Sequence, residues 1–339
     1  MDGCESSDTM RLGLPMHSKV GVVVIGRNEG KRLITCLQSV PNSVPVVYID
    51  SNSTDGSVKA ALDRGIEVVE LDLNIPFTAA RARNVGLKHL MQIEPGLRFV
   101  QFVDADCELI SGWIEKAVAL LESQPEIAAV CGRLRERHPE KSIYNWLCSV
   151  EWDGPIGEID ACGGIALFSV SAFQGVHGFR DSMIAGEESE ICLRLRRAKL
   201  KIWRLDLEMA LHDAAITRFG EWWRRSKRSG YAFALGADLH GAAPEYHWVW
   251  ESRRAVIWGL LIPGGCFLAV TLFGWRGAVA WLVYPVQIFR LATRGRGSMN
   301  ERTMLAFFQV LSRFPEALGY LKFRWNRVLN RQGRLIEYK

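Results

Sequence analysis

Three acidic clusters in this chain have the composition and spacing to do chemistry. The first is Asp50-Ser51-Asn52-Ser53-Thr54-Asp55-Gly56-Ser57. A carboxylate at Asp50 can accept hydrogen bonds from a base N–H or a ribose hydroxyl, or it can brace a turn. Asp55 and Ser57 read as Asx and Ser caps of a following helix. The second cluster is Asp104-Ala105-Asp106, two carboxylates two residues apart. Such a pair can hold a hard divalent ion, Mg²⁺ or Mn²⁺, and bridge it to a diphosphate. The third is Gly186-Glu187-Glu188-Ser189-Glu190, at the predicted start of a helix. Glutamates there complement the helix dipole, and one facing a crevice could act as general base toward a hydroxyl. Arg81 and Arg83 open another predicted helix and could reach a phosphate; for Arg81 a plain surface position is the preferred reading.

The elements that must position these residues follow from the apolar pattern. Buried strands are predicted over 20–25, 44–49, 66–71, 99–103 and 127–131, all apolar and rich in β-branched residues. Helices are predicted over 33–40, 58–64, 79–91 and 113–121. This alternation implies an α/β fold with a mostly parallel central sheet covered on both faces. Residues 133–160 read as irregular. A strand at 165–168, a charged helix at 188–200 and a short strand at 201–205 follow. The first two acidic clusters stand directly after strands, where ligands bind in parallel sheets.

Several chemistries are excluded. The first strand ends in Gly26-Arg27-Asn28-Glu29-Gly30 rather than a dinucleotide-binding fingerprint. A P-loop and a G-x-S-x-G hydrolase elbow are also missing. The eight cysteines include no C-x-x-C pair and read as reduced thiols rather than a disulfide framework or zinc site.

The order of these elements resembles the family 2 glycosyltransferases with a GT-A fold. The resemblance rests on Asn28-Glu29 after the first strand, IDSNSTDGS at 49–57, Ala82-Arg83-Asn84-Val85-Gly86, and Asp104-Ala105-Asp106. It continues with Ala161-Cys162-Gly163-Gly164 and with GEESEICLRL at 186–195. Each motif is short, but six occur in the family's order. The resemblance implies that Asn28, Glu29 and Asp50 hold the nucleoside of a nucleotide sugar, most simply a UDP-sugar. Arg83 would approach the base or diphosphate. Asp104 would contact the ribose or the metal, and Asp106 would bind the metal. Gly163 and Gly164 would line the acceptor side. Glu188 would be the catalytic base, preceded by Glu187. His212 stands where such enzymes sometimes add a metal ligand.

The chain departs from the pattern in three places. Arg27 stands before Asn28 where an aromatic is common, Ser51-Asn52 replaces an acidic-Gly pair, and Glu188 replaces Asp. The Q-x-x-R-W motif of processive synthases is missing, which implies transfer of a single sugar. A nucleotide-sugar nucleotidyltransferase would need a G-x-G-[TS]-R-like loop at 26–30, and the chain lacks it. Glu188 in place of Asp is the best support for the other alternative, a non-catalytic GT-A-like membrane scaffold.

The chain is 339 residues long and 48% hydrophobic, enough for a packed core. Its net charge of +5 conceals an asymmetry. Residues 1–200 carry 21 basic against 27 acidic side chains, and residues 201–339 carry 21 against 10. Residues 1–19 lack an apolar h-region and read as a flexible arm. Residues 20–220 form the expected catalytic domain and 221–339 a helical membrane-association region. Within the latter, 255–275 and 277–289 are uncharged runs of 21 and 13 residues. They suggest a hydrophobic hairpin over 255–289, able to span or to re-enter a bilayer core of about 30 Å. Arginines at both ends place both on the cytoplasmic side, and residues 304–329 are basic and amphipathic. The Trp222–Arg228 segment would meet lipid phosphates or form a solvated basic helix. The implied partners are a nucleotide sugar, a lipid-linked or glycan acceptor and a membrane surface, with no nucleic acid.

Overall fold

The computed structural model describes residues 20–72, 74–331 and 333. The expected N-terminal arm over 1–19, with Cys4, lies outside the described residues. The first half alternates strands and helices: β1 (Val20–Gly26), α1 (Lys31–Ser39), β2 (Val46–Asp50), α2 (Ser57–Leu62), β3 (Glu67–Glu70), α3 (Ala79–Ile93) and β4 (Phe99–Asp104). β1 is VGVVVIG and almost wholly buried. It reads as a continuous apolar run because both sheet faces are covered. β3, β2, β1 and β4 pair in parallel, so the turns after β1, β2 and β4 gather at one edge.

Next come β5 (Cys107–Leu109), α4 (Trp113–Ser123), β6 (Ile127–Glu136), α5 (Ile143–Glu151), β7 (Gly157–Ile159), β8 (Ala166–Ser169), α6 (Val170–Gly175), α7 (Glu187–Arg197) and β9 (Lys201–His212). The order across the nine-stranded sheet is β3-β2-β1-β4-β8-β6-β9-β5, with β7 on β9. β8 runs antiparallel to β4 and β6, and β5 and β7 run antiparallel to β9. The sheet is therefore parallel through β4 and mixed beyond it.

The stretch over 133–160 is not irregular: it holds the end of β6, all of α5 and β7. β9 is likewise a strand of 12 residues rather than a short one. In their outer halves both strands alternate core residues (Leu134, Met209, Ala210) with charged residues joined in cross-strand ion pairs. Arg135 meets Glu208 at 2.5 Å, and Arg133 pairs with Asp206. That is why the apolar pattern faded there.

The C-terminal part is helical: α8 (Phe219–His240), α9 (Val249–Val256), a π turn over Ile257–Leu261, α10 (Ile262–Phe273), a 3-10 stretch over Gly274–Leu282, α11 (Val283–Arg294), α12 (Met299–Leu311) and α13 (Arg313–Val328). The chain reverses at Gly274, where φ is +59°. The return limb packs on α10, with the Phe267 and Trp281 rings 5.1 Å apart. Tyr284 Oη donates to the Trp258 carbonyl at 2.8 Å. α10 and the return limb thus lie side by side.

α8 and α13 cross backbone to backbone, and Tyr231 and Phe323 meet at 5.4 Å. A small core of Ile184, Tyr231, Ala234 and Phe323 joins these two helices to the loop before α7. Another, of Cys148, Ala214, Ile216 and Trp222, joins α5 to α8. The expected boundary at 220 falls inside α8, whose burial ties it to the sheet domain. The seven described cysteines are buried free thiols.

Candidate active site

The turns after β1 and β4 and the N-termini of α3 and α7 face one cleft of about 900 Å³. Arg83, on the second turn of α3, is its centre. The guanidinium is buried and donates from Nη2 to Asp104 Oδ1 at 2.8 Å and from Nη1 to Glu187 Oε1 at 2.8 Å. Glu188 Oε1 lies 3.7 Å from the same Nη1. Burial alone would lower the Arg83 pKa; the charges of Asp104, Glu188 and Glu187 outweigh it and raise it. Arg83 is thus a fixed cation holding three carboxylates that are far apart in sequence.

Glu188 is half-buried on the rim of this cluster and lines the cleft. Its pKa is pushed up to about 7, first by burial and then by the Glu187 charge, against the pull of Arg83. A carboxyl poised there can exchange a proton near neutral pH. Gly164 completes the cluster. A Cβ there would come within 2.5 Å of Arg83 Nη2 and 3.0 Å of Glu188 Oε1, so the loop packs against the charged groups only as glycine. Gly163 beside it is open to the cleft.

A second group lies at the end of β9. The register sets Cys107 opposite His212, which brings Asp106 and His212 together across 106 residues of chain. His212 Nε2 is 3.1 Å from Asp106 Oδ1. The other ring nitrogen, Nδ1, is buried and faces Glu136 Oε2 at 3.9 Å. The ring stands edge-on to Trp152 at 4.6 Å. The ligand atoms of Asp106, Cys107 and His212 all lie within 4.8 Å of one another, a grouping that could hold a metal ion. The Cys107 thiol is pushed well up, by burial first and then by the Asp106 and Asp104 charges. It donates to Asp106 Oδ1 at 3.4 Å. The carboxylate and imidazole are therefore the ready donors, with a carboxylate behind the imidazole as metal-bound histidines commonly have.

The expected donor-side residues separate into two kinds. Glu29 lines the cleft, paired with Arg32 at 2.6 Å. Asp50 is fully buried: Tyr48 Oη donates to Oδ1 and the Ser53 amide to Oδ2, both at 2.7 Å. It braces the turn and presents no surface to a ligand in this structure. Asn28, at φ +56°, accepts from the Thr54 amide at 2.7 Å and so ties the β1 turn to the β2 turn. Asp104 faces Arg83, while Asp106 faces His212. Asp55 caps the first turn of α2 by accepting from Ser57.

Two other expectations change. Arg81 is buried rather than on the surface, donating to the carbonyls of Ile75 and Asp72. The basic segment at 222–228 turns inward. Trp222 is buried against Tyr144 and Phe308, and Arg225 and Arg228 line the cleft.

Sequence reasoning gave no site role to Glu136, Trp152 or Trp248, and read Glu190 only as part of the acidic start of a helix. Trp248 walls the cleft from the C-terminal region and rests on Gly186, whose left-handed φ of +80° opens α7. Glu190 is fully buried. It receives Arg194 at 2.6 Å and meets His240 at 3.0 Å, linking α7 to α8. No local motif marks Glu136, Trp152 or Trp248, and the His240 partner of Glu190 is distant in sequence.

Residues 21–174 match the family model described as Glycosyl transferase family 2. Over 247 residues the chain is 26% identical to the Pre-mycofactocin glycosyltransferase of Mycobacterium tuberculosis, in strains CDC 1551 / Oshkosh and ATCC 25618 / H37Rv. That alignment covers 67% of this chain and 49% of theirs, so the chain spans about half the length of the curated relatives it matches. Among solved structures it is similar to the mannosyltransferase PcManGT from Pyrobaculum calidifontis, in complex with GDP-Man and Mn²⁺. The TM-score is 0.56 at 19% identity, covering 91% of this chain and 88% of that one, a likeness of fold. With the strand order and the matched segment agreeing, residues 21–174 form a family 2 glycosyltransferase domain, and the chain has a GT-A fold.

Proposed function

We propose that this chain transfers a single sugar, with inversion, from a nucleoside diphosphate sugar to a hydroxyl of a lipid-linked or glycan acceptor. The observation that carries the reading is Glu188, raised to about 7, facing the same cleft as the Asp106–His212 pair. The similar mannosyltransferase was solved with GDP-Man and Mn²⁺, so UDP- and GDP-sugars are the donor classes to test.

Asp106 and His212 are the residues that would hold a divalent cation, backed by Glu136. An imidazole departs from the all-oxygen set that Mg²⁺ prefers, so Mn²⁺ suits this pair better. Such an ion would supply neutralisation of charge on the leaving diphosphate. Glu188 takes the acceptor hydroxyl proton while that oxygen bonds to the anomeric carbon and the bond to the diphosphate breaks. Attack opposite the leaving group inverts the anomeric centre. Arg83 and Glu187 hold Glu188 in place, and Asp104 with Glu29 faces the donor. Asn28 and Asp50 act through the turns they tie together, and Gly163 and Gly164 shape the acceptor side. The catalytic unit extends through α8 and α9, because Ala232 and Trp248 wall the cleft. The remaining helices associate with the cytoplasmic face of a membrane.

The test is nucleoside diphosphate release from a panel of nucleotide sugars with Mn²⁺ or Mg²⁺. The reading expects one donor to be turned over in a metal-dependent way. Release of nucleotide that is indifferent to a chelator would oppose the assignment of Asp106 and His212.

A further inference from the structure

The stretch Val249–Arg294 has a mean hydropathy of 2.1 in its most apolar window, and only 17% of that window is buried. By composition it resembles one long span. Its geometry is different, because the reversal at Gly274 folds it into two limbs. The base of the hairpin is held by protein: Gly259 lies against the Arg313 carbonyl and Ala317 of α13. Beyond the base, α10 and the 3-10 stretch pack mainly on each other, while α11 packs on α12. Phe267, Leu272, Phe273, Val279 and Val286 are all more than half exposed. An apolar finger of this kind needs a non-aqueous surrounding.

The charges say which. Arg253 and Arg254 precede the two limbs, Arg290 and Arg294 follow them, and between 255 and 289 no Asp, Glu, Lys or Arg occurs except Arg276 at the tip. There the tip is Trp275-Arg276, with Trp275 83% exposed and the Arg276 guanidinium 5.9 Å from its ring centre. The first limb contains a π turn of 5 residues and α10 of 12 residues. At about 1.5 Å per residue it is roughly 25 Å long. A hydrocarbon core is about 30 Å, a gap that a long arginine side chain closes by snorkelling. A guanidinium left at the bilayer centre is costly, whereas a Trp-Arg pair at an interface is favourable.

We infer that the finger inserts into a phospholipid bilayer from the side of the catalytic domain and carries Trp275 and Arg276 to the opposite headgroup layer. Both ends stay with the active site, and the basic base meets anionic lipid. This inference rests on the membrane association proposed above and adds its topology.

The experiment uses the full chain bearing Arg276→Cys, bound to sealed phosphatidylcholine vesicles containing phosphatidylglycerol. A membrane-impermeant maleimide is added outside, and then again after the vesicles are opened. The unsubstituted chain sets the background from native thiols. The inference expects labelling that rises several-fold only after opening. Labelling from outside, or no labelling of vesicle-bound protein after opening, overturns the crossing while leaving membrane association intact. Failure of the unsubstituted chain to pellet with vesicles, with migration as a dimer instead, assigns the finger to a second copy and overturns both readings. Should Arg276→Cys fold poorly, Trp275→Cys gives the same readout.

Discussion

Arg83 and Glu188 show how charge is arranged in this cleft. One buried guanidinium is shared by Asp104 and Glu187 at 2.8 Å each, and Glu188 is left at its edge with a pKa raised to about 7. As a base, Glu188 works only when deprotonated. The rate constant for transfer should therefore climb as pH rises through about 7 and level off above it. One unit below the midpoint it should be about tenfold lower, as a single titration requires; a flat kcat profile between pH 5.5 and 8.5 would count against this role. Gly164 gives a steric prediction. Gly164→Ala forces a methyl group to within 3.0 Å of Glu188 and closer still to Arg83. Displacing these groups by about 1 Å should lower kcat by about 100-fold, with the thermal midpoint lowered through the stability loss of about 1–3 kcal/mol that overpacking costs. At this scale much was legible in the sequence. Asp104, Asp106, Glu187 and Glu188 sit in short motifs beside strands or helix starts, and all line the cleft. Asp50 was not legible as a brace, because the Tyr48 hydroxyl that holds it is visible only once the strand is folded.

At the scale of elements, α7 is positioned from both ends. Its N-terminus rests on Trp248 through Gly186, and its middle is tied to α8 through Glu190. Glu190 is fully buried among Arg180, Arg194 and His240. Glu190→Ala would strand the two guanidiniums and the His240 ring and should cost about 3–5 kcal/mol of stability, read as a shift in the denaturant midpoint. The Glu190 carboxyl is held below its ordinary range: burial pushes it up, but Arg194 and His240 pull it further down. Its contribution is thus present above the ordinary glutamate range and fades as pH falls through the folded value. The strands and helices of the first half were legible because buried parallel strands announce themselves as apolar runs. The outer ends of β6 and β9 were not, because charged residues in ion pairs break up the apolar run there. The link between α7 and α8 was also hidden, since it joins residues 50 positions apart.

For the whole molecule, the charge asymmetry takes on a structural meaning. The acidic part supplies the carboxylates of the cleft, and the basic part supplies both a wall of that cleft and the base of an apolar finger. The hairpin was legible as two uncharged runs, whereas the close crossing of α8 and α13, which fastens it to the catalytic unit, was not. One assignment joins these scales: Glu188 as the base that activates the acceptor. It is tested most directly by comparing Glu188→Gln with the unsubstituted chain. The measurement is acceptor-dependent nucleoside diphosphate release with Mn²⁺, beside the donor dissociation constant for each. The account predicts unchanged donor affinity and a loss of transfer of about 10²–10⁴-fold, the usual contribution of a general base. Transfer at the full rate by Glu188→Gln, with the same donor and acceptor, would contradict it.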